Sequence, residues 1–397
     1  MIVLSGADVV LPDRVLRPGT VVLDGDRIVD VSDGVRTATG SDRHIDLHGH
    51  LIVPGFIDVH VHGVEGTDTL DSESAVRTIA ARLPRFGVTA FCPTSLACSP
   101  QVLRRMLLSI REARTADSRG AARVLPAHLE SNFINPDYKG AQPLECLRLP
   151  HAKVEGDFSG ADILAEIAAA RAEVGIVTIA PELDGAIDVI RDLASHGHHI
   201  SLGHSGASYE EALAGISAGA RQATHLFNRM TPINHRQPGL AAAVLERDEI
   251  TTEVVCDGVH VHPSMVRVAL AAKRPSRFMA ITDGTAGSGM PRGTQTAIGG
   301  RRITVGDIAS LDDGTIAGSV LTMDRAFAQL VNVIGASLVD AATVCATTPA
   351  RALGLKDLGV VATGAIADLA VLDHNFRVTH TFIGGNLMES GRTPSNL

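Results

Sequence analysis

Residues 53–62 read Val53-Pro54-Gly55-Phe56-Ile57-Asp58-Val59-His60-Val61-His62, an apolar run that closes on two histidines one residue apart. Side chains alternate faces along a strand, so both imidazoles project from the same face at its carboxyl end, where neutral ring nitrogens can share a metal ion. The run is therefore expected to be a buried strand that delivers metal ligands.

Downstream, similar apolar runs recur at 88–92, 124–130, 176–180, 199–204, 220–225, 251–256 and 277–283, which makes eight with the first. Amphipathic stretches at 72–86, 101–116, 161–173, 186–195 and 263–273 fall between many of them. Eight alternating strand and helix units predict an α/β chain of the (β/α)8 TIM-type barrel class, with an open doubly wound sheet as the alternative. The two ends read differently. Runs at 20–23 and 27–31 flank an Asp24-Gly25 turn, and runs at 367–372 and 378–383 precede Gly384-Gly385. Both termini are thus expected to build one small β-sandwich domain, residues 1–52 plus 356–397, beside a catalytic barrel spanning 53–355.

Composition narrows the functional class. The chain has 397 residues, 45% hydrophobic, enough for a large core and a second small domain. Its formal net charge of −9 and lack of a Lys/Arg-rich run argue against a nucleic-acid partner. With no Trp and two Tyr, an aromatic platform for stacking bases is not expected. The five cysteines form no C-x-x-C pair and read as reduced, packed thiols. The opening MIVLSGADVVLPD lacks a basic region and is broken by Asp8, and no 18-residue uncharged apolar run occurs. A cytoplasmic protein with no membrane partner is expected.

In a barrel of this kind chemistry gathers at the carboxyl ends of the strands. There the sequence places His60 and His62 on the first, Glu130 on the third, His204 on the fifth, His225 on the sixth and Asp283 on the eighth. Polar groups beside a core are costly unless used, so their joint recurrence predicts a divalent metal site. Histidine and carboxylate without cysteine suit Zn(II) first, with Fe(II), Mn(II) or Co(II) as alternatives, one ion or two per subunit. His60 and His62 would hold one ion, His204 and His225 the other, and Glu130 would bridge. Such a metal generates hydroxide from water near neutral pH, and Asp283 is placed to relay its proton to a leaving nitrogen. Hydrolysis of an amide or related bond follows.

The ordered strings VPGFIDVHVHG, HLESNFINPDYKGAQP, SLGHSGAS, QATHLFNRM, HRQPGLAAAVL, VVCDGVHVHP, ITDGTAGSG, IAGSVLTMDRA, TTPARALGL and GAIADLAVLD resemble the amidohydrolase superfamily, and within it the N-acetylglucosamine-6-phosphate deacetylases. The resemblance spans nearly the whole chain. It implies the barrel with its flanking β-sandwich, the metal roles above with Asp283 as acid and base, and an N-acetyl amino sugar phosphate as substrate. It further implies that Arg236 reaches the sugar phosphate from the neighbouring subunit of a homodimer, that His260 assists, and that Asn228 contacts the ligand. Three departures stand out. Ser131-Asn132 replaces the family's Gly-Pro after Glu130. Gln142 stands where a carbonyl-polarising histidine is expected, and an amide can donate a hydrogen bond but cannot become cationic. Arg229 replaces a small residue and adds a cation beside Asn228. Deacylation of a different N-acyl amino sugar or amide is therefore an alternative, and a barrel serving as a non-catalytic scaffold is a second.

Other polar residues carry structural expectations. His196, His198 and His199 read as a solvated turn, and His128 as a packed or ligand-supporting histidine. Glu182 reads as a group supporting the site or, in preference, as a helix N-terminal carboxylate, and 285–293 as either an active-site loop or a connector.

Overall fold

A computed structural model describes residues 1–37, 42–116 and 120–388. Barrel strand β1 is Phe56–Val61, β2 Val88–Ser95, β3 Ala127–Leu129 and β4 Val174–Ile179. β5 is His199–Leu202, β6 Gln222–Ala223, β7 Thr251–Val255 and β8 Phe278–Ile281. Each pairs in parallel with the next, from Phe56↔Val88 between β1 and β2 to Val255↔Ile281 between β7 and β8. Closure from β8 back to β1 combines a short backbone bridge with one side chain. Val61 bridges Gly284, and the buried Asp58 carboxylate accepts from Thr282 Oγ1 at 2.5 Å and from Thr282 N at 3.3 Å. Parallel strands covered on both faces need continuous apolar character, and these strands are buried almost throughout. The helices cover them with one stripe each. In Ala186–Ser195 the stripe is Ala186, Val189, Ile190 and Leu193, and in Pro100–Thr115 it includes Leu103, Met106, Leu107 and Ile110.

The termini form an eight-stranded sheet in which Leu369–Leu372 pairs antiparallel with Leu51–Pro54, and Leu51–Pro54 pairs with the first strand, Ile2–Val10. An Arg27↔Ile366 bridge brings the far edge back over the sheet. The folded sheet encloses its own core of Leu4, Val9, Leu23, Ile28, Ile52, Leu369 and Phe382. This is the β-sandwich built from both ends of the chain. Residues 389–397 of the expected second segment, and 38–41 of the first, lie outside the described residues.

Two local readings change. The run 53–59 is not one strand, because Leu51–Pro54 belongs to the terminal sheet and the barrel strand begins at Phe56. Gly55 makes the joint. A Cβ there would lie 2.2 Å from Thr89 Cγ2, so only glycine lets the chain pass that close to β2. Similarly, Pro126 interrupts the run 124–130: Arg123–Val124 and Ala127–Leu129 both pair with β2, as separate segments. Sequence reading also missed a three-stranded meander after β8, Gln295–Ile298, Arg301–Val305 and Ala309–Leu311. It packs Ile298, Ile303 and Val305 against Leu96. The 285–293 stretch is a connector. Its carbonyls at Ala286 and Ser288 accept from Gly66 N and Glu65 N, and it contributes nothing to the cavity described next.

Candidate metal centre and active site

The six strand-end side chains converge. His60 Nε2 lies 3.2 Å from His62 Nε2, and Asp283 Oδ1 lies 3.4 and 3.3 Å from those two nitrogens. Across the barrel mouth His204 Nε2 and His225 Nε2 are 3.0 Å apart, each 2.8 Å from Glu130 Oε1. Glu130 spans the halves, with Oε2 3.5 Å from His62 Nε2. Three of these residues sit in left-handed backbone: His204 at φ 48°, His225 at 29° and Asp283 at 49°. Non-glycine residues avoid that region at a cost of about 1–3 kcal/mol each. The strand-to-loop turns at these sites are bent so that the side chains aim at the axis.

Fixed tautomers make the cluster unstable without a cation. His60 Nδ1 donates to Glu253 Oε2 at 2.9 Å and His204 Nδ1 to the Tyr138 carbonyl at 2.8 Å. With those protons committed, both Nε2 lone pairs face other lone pairs, on neighbouring imidazoles and on carboxylate oxygens. Either protons or a metal must lie between. Two overlapping groups of donors, His60–His62–Glu130 and Glu130–His204–His225, each bring their atoms within 4.8 Å of one another, close enough to surround an ion. The charge balance agrees. Burial alone would raise the Glu130 carboxyl, but His204, His225 and His60 hold it well below the usual range. Burial lowers His60 to about 3, while for His225 the Glu130 carboxylate outweighs burial and pushes the imidazole up to about 9.

A cavity of about 440 Å³ opens above these donors, and Gln142, Asn228, Arg229 and His260 line it. Gln142 is fully committed on one side: its Oε1 accepts from Ala97 N at 2.8 Å, which fixes the amide so that Nε2 donates to Glu130 Oε2. One N–H remains for the cavity. Asn228 braces the turn after β6 by donating to the His225 carbonyl at 3.1 Å. Arg229, at φ 49°, lies along Gly140 on the opposite wall. His260 Nδ1 pairs with Asp257 Oδ2 at 2.6 Å, leaving a buried Nε2 at the cavity wall with no partner among the described residues. Arg236 is not brought to this cavity; it is exposed on the loop preceding helix Gly239–Glu246.

Several residues do more than their sequence suggested. Glu182 is not a helix N-terminal carboxylate: it accepts from Asn135 Nδ2 at 2.9 Å, Ser205 Oγ at 2.7 Å and Gly206 N at 2.6 Å, tying the loops after β3 and β5 together. His198 is buried rather than solvated, with Nδ1 at 3.0 Å from the Val174 carbonyl. His128 packs edge-on to His60 and bonds the Val59 carbonyl and Thr178 Oγ1. Asn132, one of the departures from the family pattern, donates to the Cys98 and Cys146 carbonyls and holds the loop behind Glu130. Glu253 and Asp257 escaped notice. Their signals were an acid inside an apolar strand and an acid three residues before a histidine.

Residues 51–388 match the amidohydrolase family. The chain is 32% identical to the N-acetylglucosamine-6-phosphate deacetylase of Bacillus subtilis (strain 168) over 96% of its length and 95% of that protein. It is also 32% identical to the N-acetylgalactosamine-6-phosphate deacetylase of Escherichia coli O157:H7, over 85% of its length and 87% of that protein. Among solved structures, an N-acetyl-D-glucosamine-6-phosphate deacetylase variant from Mycobacterium smegmatis, in complex with N-acetyl-D-glucosamine-6-phosphate, superposes with a TM-score of 0.87 at 33% identity. That match covers 97% of this chain and 98% of that one.

Proposed function

The chain belongs to the amidohydrolase family and, within it, to the N-acetylglucosamine-6-phosphate deacetylases, and from that premise we propose that it hydrolyses N-acetylglucosamine 6-phosphate to glucosamine 6-phosphate and acetate. The observation that carries this reading is the lone-pair conflict among His60, His62, His204, His225 and Glu130, set at the floor of a cavity large enough for a sugar phosphate. These residues would hold one or two divalent ions, Zn(II) by ligand preference. When bound, the metal supplies Lewis-acid activation of water and of the acyl carbonyl.

The chain's own groups supply the rest. Asp283 takes a proton from the attacking water and returns it to the sugar nitrogen as the C–N bond breaks, giving the amine and acetic acid, whose remaining proton passes to the amine so that acetate and an ammonium group leave. Gln142 uses its free N–H to hold the acyl oxygen. Arg229 and His260 face the distal part of the substrate, and Arg236 of a neighbouring subunit completes the phosphate site in a homodimer. All five cysteines are free thiols, as a reducing cytoplasm maintains them.

The galactosamine-type relative and the Gln142 and Arg229 departures favour one second reading, the epimeric N-acetylgalactosamine 6-phosphate as substrate. Acetate release is the test, measured on both epimeric phosphates and on N-acetylglucosamine lacking phosphate, before and after chelation and metal restoration. The glucosamine-type phosphate should give the highest kcat/KM, and chelation should abolish turnover. Equal rates with and without phosphate would defeat the proposal.

A further inference from the structure

Beneath the donor cluster, β7 carries an acid inside the barrel. Glu253 is the middle residue of Thr251–Val255 and is wholly buried. Its Oε2 accepts the 2.9 Å hydrogen bond from His60 Nδ1, and its Oε1 has no hydrogen-bond partner among the described residues. The next imidazole nitrogen, His128 Nδ1, is 3.7 Å away and is already committed to the Val59 carbonyl at 3.0 Å. Glu253 does not line the cavity and so cannot meet substrate there. A carboxyl at such a depth is expensive, and its one directed interaction is with a single candidate ligand.

The two halves of the cluster are built alike with one difference. In each, one imidazole is anchored from behind and the other is not: His60 by Glu253 and His204 by the Tyr138 carbonyl, whereas His62 Nδ1 and His225 Nδ1 are buried without partners among the described residues. The anchor is a carboxylate in one half and a neutral carbonyl in the other. A carboxylate behind an imidazole fixes its tautomer and ring plane and also raises the donor strength of the opposite nitrogen. We propose that Glu253 is a positioning residue that sets the affinity of the His60–His62 half for its metal ion, so that the two halves differ through the groups behind the ligands and not through the ligands themselves.

This inference rests on the metal reading above, and a double-mutant cycle on metal binding separates the two. Metal-free protein is titrated with Co(II) and Zn(II) against a competing chelator, and bound ions are counted by elemental analysis, with no assay of turnover. Glu253→Ala should weaken the ion that His60→Ala also loses, by about 10–100-fold. Glu253→Gln keeps an acceptor of the same shape but loses the charge, so it should hold the ring in place and still weaken the ion several-fold, less than Glu253→Ala does. In the His60→Ala background, Glu253→Ala should change the remaining affinity by less than about twofold, because the two residues act as one unit. Wild-type affinity in both Glu253 variants overturns the inference, and so does a Glu253→Ala effect that persists undiminished without His60. If the wild type binds no ion and His60→Ala changes nothing, the metal reading itself fails and takes this one with it. Should Glu253→Ala not fold by circular dichroism, the Glu253→Gln arm of the cycle decides between the same outcomes, since any loss it causes must still vanish in the His60→Ala background.

Discussion

Asp257 and His260 show how a pair of side chains fixes a cavity wall. The Asp257 carboxylate accepts from His260 Nδ1 at 2.6 Å and from the backbone N–H groups of Val259 and His260 at 2.9 and 2.8 Å. Burial would raise this carboxyl, but the His260 hydrogen bond and charge, with the two amides, hold it below the ordinary range. A depressed acid pKa stabilises the fold above the unfolded value of about 3.9 and loses that contribution as pH falls through the lower folded value. Wild-type protein should therefore lose more stability than Asp257→Asn between about pH 5 and pH 3, measured as the shift of the urea midpoint. Equal slopes for the two proteins would show that the pair contributes nothing. Residues of this kind are hard to read in sequence. His60, His62 and Glu130 announce themselves because each ends an apolar run, whereas Asp257 acts only by holding another side chain, and its spacing from His260 also suits an ordinary turn.

Among the elements, the barrel strands and several helices were legible because each obeys one period: β8 as an unbroken apolar run, and helix Ala186–Ser195 as a stripe on one face. The meander after β8 was not. Its strands carry Gln295, Arg301, Arg302 and Thr304 between apolar residues, and the Gly299-Gly300 turn, both at positive φ, was the one hairpin signal. Loops were less legible still, since what positions them is far away in sequence. Glu182 closes the gap between the loop after β3, which carries Tyr138 and Gln142, and the turn after β5, which carries His204. Glu182→Ala removes the acceptor for three donors, and leaving such donors unmatched costs about 1–3 kcal/mol each when they are buried. The variant is expected to be less stable by about 2–3 kcal/mol, discounted because water reaches part of the site. Amide exchange should quicken across 132–147 while helix Pro100–Thr115 keeps its protection. Uniform acceleration over the whole chain would mean that Glu182 supports global stability and not these loops.

At the scale of the whole molecule, Arg123 and Asp368 show that the two domains are joined firmly. Arg123 Nε and Nη2 reach the Asp368 carboxylate at 2.9 and 3.1 Å, and Asp368 Oδ1 also accepts from Gly384 N, so barrel and terminal sheet share one buried acid. The Arg236 side chain is exposed and does not line the cavity of its own chain. In the proposed homodimer Arg236 serves the phosphate in the other copy, and two-fold symmetry makes the exchange mutual because the interface is made of the same surface on both chains. Subunit mixing tests this. Asp283→Asn should abolish proton relay and Arg236→Ala should weaken phosphate capture, each leaving the other residue intact. Random reassociation of equal amounts places both variants in about half of the dimers, each with one site whose Asp283 and whose borrowed Arg236 are both native. Activity should then rise toward about a quarter of the wild-type value at low substrate, far above either parent. If Arg236 acts within its own chain, no mixed dimer can contain a complete site, and the mixture will give only the mean of its parents.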